Sequence, residues 1–118
     1  MVDNLIIRYG SVTAVDGVSF TASAGAVTTV LGPNGAGKTS TVEHLEGYRP
    51  SAGGRTRVLG LDPITDHHQL TARVGVMLQH GGIPTAIRPM ELLNQYAGFF
   101  ERPLDPAALL DRVGLGHR

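Results

Sequence analysis

The chain has 118 residues, 42% of them hydrophobic, with 10 basic and 10 acidic residues and no cysteine. A chain of this length supports one modest hydrophobic core, so we expect a single domain. The balanced charge argues against a nucleic-acid-binding surface, and the lack of cysteine excludes disulfides and thiolate metal sites. Residues 1–4 lack the basic and apolar regions of a secretory signal, so we expect a cytoplasmic protein.

The first third of the chain predicts β-structure. Residues 5–9 and 18–22 are rich in apolar and β-branched side chains, and a turn is predicted between them at Gly10 and Ser11. Residues 26–31 form a further run of apolar and β-branched side chains, which predicts a short buried strand.

Residues 32–39 read Gly-Pro-Asn-Gly-Ala-Gly-Lys-Thr and match the phosphate-binding pattern G-x-x-x-x-G-K-[ST]. In such a loop, backbone N–H groups converge on the phosphates of a nucleotide, the lysine brings a positive charge, and the threonine hydroxyl can bind Mg²⁺. The motif requires a preceding strand and a following helix, and residues 26–31 and 38–46 satisfy that condition. The sequence therefore predicts binding of a nucleoside triphosphate, with a glycine-rich turn without ligand as the alternative.

The middle of the chain predicts short strands and a short helix joined by loops. A loop at 49–54 precedes a predicted strand at 56–59, and a short helix is predicted over 67–72. Residues 74–78 form a continuous apolar run, which favours a strand buried on both faces. Gln79 follows this strand directly.

Two helices are predicted in the last third. Pro89 can open the first helix, and apolar residues recur along it at helical spacing. We interpret these residues chiefly as a core face: Leu92, Leu93, Tyr96 and Phe99. Asp105 as N-cap and Pro106 at the first helical position predict a second helix, which stops at Gly114.

Four segments, in this order and at this spacing, resemble the first half of an ABC-type ATP-binding cassette: residues 8–10, 14–20, 32–40 and 75–79. Residues 45–50 and 57–63 are similar to bacterial drug-export cassettes of the ABC-2 type. The resemblance implies an α/β fold. It consists of an incomplete P-loop NTPase (RecA-like) core, an N-terminal antiparallel β subdomain and the start of a helical subdomain.

The same resemblance divides the chain into parts of one partial ATP-binding domain, residues 1–118. Residues 1–31 correspond to the β-rich part, 32–80 to the P-loop core up to the Q-loop, and 81–118 to the start of the helical subdomain. The family's LSGGQ signature, Walker B strand and switch histidine have no counterpart here, so we expect a fragment or truncated product. Asp62 imitates a Walker B aspartate, but Pro63 stands where the family has a glutamate, and we assign Asp62 to a turn.

Site residues follow from the resemblance, residue by residue. The nucleotide-binding residues are Tyr9, Gly32, Asn34, Gly35, Ala36, Gly37, Lys38, Thr39 and Ser40. Tyr9 would stack on the adenine, with packing on the core as its alternative, and Ser40 would lie beside the α-phosphate. The implied catalytic residues are Lys38 and Gln79, and the implied Mg²⁺ ligands are Thr39 and Gln79.

The resemblance implies an ATP-binding subunit of an ABC transporter that couples hydrolysis of Mg-ATP to export. Its implied partners are a second ATP-binding cassette and a transmembrane permease at the inner face of the cell membrane, without nucleic acid. We expect ATPase chemistry for the family and inactivity for this stretch alone. The alternatives are a truncated, non-catalytic nucleotide-binding remnant and an ABC ATPase that serves a process other than transport.

Overall fold

The computed structural model describes residues 1–82 and 84–116. The chain divides into two compact units, Met1–Val76 and Met77–Arg118. Within the described residues, the first unit contains three strands and two helices, and the second contains two further helices.

A three-stranded antiparallel sheet organises the first unit. Its central strand, β1 (Val2–Tyr9), pairs with β2 (Val12–Phe20) on one side and with β3 (Gly53–Thr56) on the other. A turn at Gly10 and Ser11 joins β1 to β2, as predicted. The N-terminal antiparallel β-structure is therefore confirmed, although β2 begins earlier than the predicted strand and β3 precedes most of the predicted range 56–59.

The core of the first unit is built mainly on β1. Its buried members are Val2, Leu5, Ile7 and Val15, and Phe20 and Leu45 pack against them. Leu5 and Ile7 follow the two-residue period of a strand, whereas Val2 lies three residues before Leu5. The register shifts between Val2 and Leu5, where Asn4 has a φ of 50°, and this bulge supplies the extra residue that lets both side chains be buried.

The helices form close to their predicted positions. In the first unit, α1 (Lys38–Leu45) and α2 (His67–Thr71) confirm the predicted helices at 38–46 and 67–72. In the second unit, α3 (Pro89–Ala97) and α4 (Pro106–Arg112) each begin at a proline. Asp105 Oδ1 accepts a hydrogen bond of 3.1 Å from the Ala107 N–H, which confirms Asp105 as the N-cap of α4.

The predicted strands at 26–31 and 74–78 are not formed. Val27 is 95% exposed and Met77 is 94% exposed, and residues 28–31 line a cleft of about 370 Å³ beside the end of β2. A strand needs a neighbouring strand that accepts and donates its backbone hydrogen bonds, and the sheet β2-β1-β3 pairs with neither segment. These two strands, which we expected to belong to the RecA-like core, are therefore absent from the structure of residues 1–82 and 84–116.

The prediction that the apolar face of α3 belongs to the core is also wrong. No residue of α3 is buried, Tyr96 is half-exposed, and Phe99 is 76% exposed. The apolar spacing correctly predicts a helix with one apolar side, but burial requires a second surface of matching size. In the described part of this unit α4 is the helix that packs against α3, and side chains such as Tyr96 remain exposed despite this contact.

Candidate nucleotide-binding site

The loop at 32–37 leads directly into α1, and two of its glycines adopt the left-handed conformation, with φ of 84° at Gly35 and 82° at Gly37. A turn inside the loop is closed by the Ala36 N–H, which donates to the Pro33 carbonyl at 3.2 Å. A Cβ at Gly37 would collide with the backbone carbonyl of Ala14 on β2, whereas one at Gly35 would meet no atom within 4 Å. Gly37 therefore anchors the loop against the sheet, and Gly35 faces open space.

The N-terminus of α1 is open to an anion. Its N-cap is Gly37, which has no side chain to cap the helix, and the first turn contains no acidic residue. The first backbone N–H groups of a helix have no acceptor within the helix, and the helix dipole places partial positive charge at the same end. Backbone amides in this arrangement are suited to phosphate oxygens.

Lys38 adds a full positive charge to this end of the helix. Its ammonium donates to the carbonyl oxygens of Gly32 at 2.8 Å and Pro33 at 2.7 Å, so the side chain folds back over the loop. The ion pairs among the described residues join Arg49 to Glu43 and Arg57 to Asp62, and Lys38 takes part in neither. An ammonium held by two carbonyls and helix amides without side-chain acceptors together fit the phosphates of a nucleotide.

The hydroxyl residues of the first turn of α1 have different environments. Thr39 is exposed, whereas the Ser40 hydroxyl shares a hydrogen bond of 2.8 Å with the Tyr9 hydroxyl. Thr41, which the sequence analysis did not identify, is buried and donates from its hydroxyl to the Gly37 carbonyl at 2.9 Å. Thr41 thus helps to hold the last residue of the loop, and no motif in the sequence marks that role.

Tyr9 lies at the end of β1 beside the first turn of α1. It is 40% exposed and does not belong to the core cluster, so the alternative of core packing is wrong. The Arg49 guanidinium lies over its ring, with Cζ 4.6 Å from the ring centroid. The structure therefore brings Tyr9 to the same helix end as Lys38 and Ser40, and its role towards adenine stays a prediction.

Gln79 belongs to the second unit. It is exposed and lies at a bend, and the run before it is not a strand as predicted. Its implied roles as a catalytic residue and as an Mg²⁺ ligand stay predictions.

Asp62 is held in a turn, as predicted. Its Oδ1 accepts hydrogen bonds from the N–H groups of Ile64 at 2.9 Å and Thr65 at 3.1 Å, and Arg57 lies 3.2 Å from its Oδ2. The backbone hydrogen bonds from Thr65 and Ile64, and the charge of Arg57, lower the pKa of Asp62 below its ordinary value of 3.8. This carboxylate stabilises a turn and is not free to act as a catalytic base.

His44 has a structural environment. Its ring is almost completely buried, with Nδ1 2.6 Å from the Arg49 carbonyl and Nε2 2.8 Å from the Thr56 hydroxyl. Because a carbonyl can only accept, Nδ1 carries a proton. The described residues contain no cluster of three or more His, Asp or Glu side chains that could hold a metal ion. In that part of the chain, no helix is long and apolar enough to cross a membrane.

Comparisons with known proteins identify the family of this chain. Residues 15–117 match the family model described as ABC transporter. The chain is 32% identical over 117 residues to the daunorubicin/doxorubicin resistance ATP-binding protein DrrA of Streptomyces peucetius, covering 95% of this chain and 36% of that protein. It is 37% identical over 103 residues to the Nod factor export ATP-binding protein I of Ralstonia nicotianae, covering 86% of this chain and 32% of that protein.

A human relative matches as well. The chain is 43% identical over 88 residues to the glucosylceramide transporter ABCA12 of Homo sapiens, covering 75% of this chain and 3% of that protein. The chain thus spans about a third of the length of the bacterial relatives and a small part of the human one. The family match, the relatives and the loop that opens α1 lead to one conclusion: the chain belongs to the ATP-binding domains of the ABC transporter family.

Proposed function

We propose that this chain binds Mg-ATP through residues 32–40, as part of an ATP-binding subunit whose ATP hydrolysis drives export across a membrane. The observation that carries the proposal is the position of the Lys38 ammonium at the uncapped N-terminus of α1. Export is suggested by the relatives, which include a drug-resistance and a Nod factor export protein. The proposed partners are a second cassette and a membrane permease, which would place the subunit at the cytoplasmic face of the membrane.

Each residue of the site has a role in this proposal. Lys38 exchanges the carbonyls of Gly32 and Pro33 for phosphate oxygens, which are stronger acceptors because they are charged. The exposed Thr39 hydroxyl and the Gln79 amide are the proposed Mg²⁺ ligands. Mg²⁺, when bound, neutralises charge that develops on the phosphates during hydrolysis. Tyr9 stacks on the base.

One observation favours a second candidate function, nucleotide binding without hydrolysis. Asp62 follows an apolar run, yet its carboxylate is occupied by the turn at Ile64 and Thr65. The first turn of α1 also contains no acidic residue. Neither Asp62 nor the first turn of α1 therefore supplies a catalytic carboxylate, and nucleotide binding is the function that these residues support directly.

The binding proposal has a direct chemical test, because Lys38 is the only lysine of the chain. An amine-reactive acylating reagent therefore labels two sites, Lys38 and the N-terminal amine. We expect Mg-ATP to slow labelling of Lys38, as followed by peptide mass spectrometry. The N-terminal amine, which donates to the Arg57 carbonyl, is the internal control and should label at an unchanged rate. Equal labelling of Lys38 with and without saturating Mg-ATP would contradict the proposal.

Hydrolysis is tested separately on the same preparation by phosphate release. ATP protection of Lys38 without phosphate release would support the binding-only candidate for this chain. Protection together with phosphate release that is lost in the Lys38→Ala variant would support the ATPase.

A further inference from the structure

The end of β1, one face of α1 and the segment that follows α1 contribute side chains to one cluster. We name it the Tyr9 clamp; it consists of Tyr9, Ser40, Glu43 and Arg49. Ser40 and Glu43 are three residues apart on α1 and so lie on one face of the helix. The Tyr9 hydroxyl bonds to Ser40, and Arg49 bonds to Glu43 while its guanidinium covers the Tyr9 ring.

The backbone at the C-terminus of α1 brings Arg49 back to the helix. The Tyr48 N–H donates to the Glu43 carbonyl at 2.9 Å, and the Gly47 N–H donates to the His44 carbonyl at 3.0 Å. These two bonds are those of a Schellman motif, which reverses the chain after a helix. The Arg49 carbonyl then accepts from the buried His44 ring. The backbone of Arg49 is therefore fixed by the Schellman motif that precedes it and by the hydrogen bond from His44 to its carbonyl.

The side chain of Arg49 is held as well. Its Nε and Nη2 both lie 2.7 Å from Glu43 Oε2. With the guanidinium fixed in this way, one face of the Tyr9 ring is covered at 4.6 Å and is closed to a stacking partner. Tyr9 is still 40% exposed, so part of the residue remains open to solvent.

We propose that Arg49 is a positioning residue for the nucleotide base: it holds the Tyr9 ring against α1 so that the base stacks on the face opposite the guanidinium. This inference rests on the proposed ATP-binding function. The guanidinium also draws electron density towards itself through the ring, which favours stacking on an electron-rich purine. Arg49 has no contact with the nucleotide in this arrangement and acts through Tyr9.

The test distinguishes the contribution of the base to binding from that of the phosphates. The whole chain is titrated with Mg-ATP and with Mg-tripolyphosphate in a calorimeter. Arg49→Ala should weaken ATP binding by about two- to fivefold, because the freed Tyr9 ring must then be ordered when the base stacks on it. Tripolyphosphate affinity should not change, because it has no base. Arg49→Lys should restore part of the loss, since an ammonium can also lie over the ring.

A double-mutant cycle shows whether Arg49 acts through Tyr9. In a Tyr9→Ala background the effect of Arg49→Ala on ATP affinity should disappear. Arg73→Ala is the charge-matched control, since Arg73 is exposed at the end of α2 and belongs to none of the contacts above. If Arg49→Ala does not fold, Glu43→Ala tests the same clamp, because it removes the acceptor that fixes the guanidinium and leaves Arg49 itself unchanged.

The outcomes distinguish this inference from the proposed function. Equal loss of ATP and tripolyphosphate affinity in Arg49→Ala, or an effect that persists without Tyr9, would overturn the role of Arg49. ATP that binds no tighter than tripolyphosphate to the wild-type chain would overturn it as well and leave the phosphate site intact. A wild-type chain that binds neither ligand would refute the proposed function and, with it, this inference.

Discussion

The two units of this chain use similar local signals but differ in burial. In the first unit, Leu5 and Ile7 on β1 lie in a core to which α1 contributes Leu45. In the second unit, α3 and α4 begin at prolines as predicted, yet an apolar groove of about 360 Å³ lies open beside them, lined by residues that include Tyr96 and Phe100. Hydrogen-bonding groups next to one another in sequence are sufficient to start a helix. Burial also requires a second apolar surface.

The largest expected effect is the difference in lost stability between a substitution on the buried strand β1 and one at an exposed side chain just after α3. Leu5→Ala removes a completely buried side chain and should lower the free energy of unfolding of the first unit by about 2–5 kcal/mol. Phe99→Ala, at a side chain that is 76% exposed, should change stability by less than about 0.5 kcal/mol. Urea denaturation followed by circular dichroism measures both. Similar losses in the two variants would show that α3 is covered in solution.

The next prediction concerns the loop, where two glycines with the same conformation differ in surroundings. Gly35→Ala should cost about 1–2 kcal/mol, because an alanine is strained at positive φ. Gly37→Ala should cost more, since its Cβ also collides with the Ala14 carbonyl. Chemical denaturation of the matched pair gives the difference directly. An equal cost would mean that the loop does not pack on β2.

A smaller loss of stability is expected when the N-cap of α4, in the second unit, is removed. Asp105→Ala removes the N-cap hydrogen bond to Ala107 and should destabilise α4 by about 1 kcal/mol. Asp105→Asn is the conservative control, because an amide oxygen also accepts this bond and should retain most of the stability. Amide hydrogen exchange in α4 reports the change. Faster exchange in the asparagine variant than in the alanine variant would contradict the assignment.

The smallest effect is the pH dependence contributed by Asp62. Its pKa is lower in the folded chain than the ordinary 3.8, because the N–H groups of Thr65 and Ile64 bond to the carboxylate. The unfolded chain therefore takes up the proton first, and the stabilisation is complete above the unfolded pKa and is lost as pH falls through the folded pKa. Asp62→Asn should flatten the decrease in stability below pH 3.8. An unchanged acid profile in urea denaturation would refute this cause.

Much of the candidate site was predictable because its signals are local. The spacing of Gly32, Gly37 and Lys38 predicted a loop that opens a helix, and α1 begins at Lys38 as expected, whereas the strand expected before the loop does not form. Glu43 and Arg49 were missed, since their roles depend on a ring contributed by a distant strand. No sequence pattern specifies that Tyr9, 40 residues before Arg49, ends beneath its guanidinium.

The amino-acid sequence by itself determined the family, the glycine-rich loop at 32–37 and the ends of the helices. Each of these depends on residues that are neighbours along the chain: a glycine that permits positive φ, a lysine one position later, an aspartate before a proline. Tertiary structure alone decided whether the apolar runs at 26–31 and 74–78 became strands and whether the apolar side of α3 was buried. Strand pairing and burial both need a partner surface, and whether one is present is not encoded in the run itself.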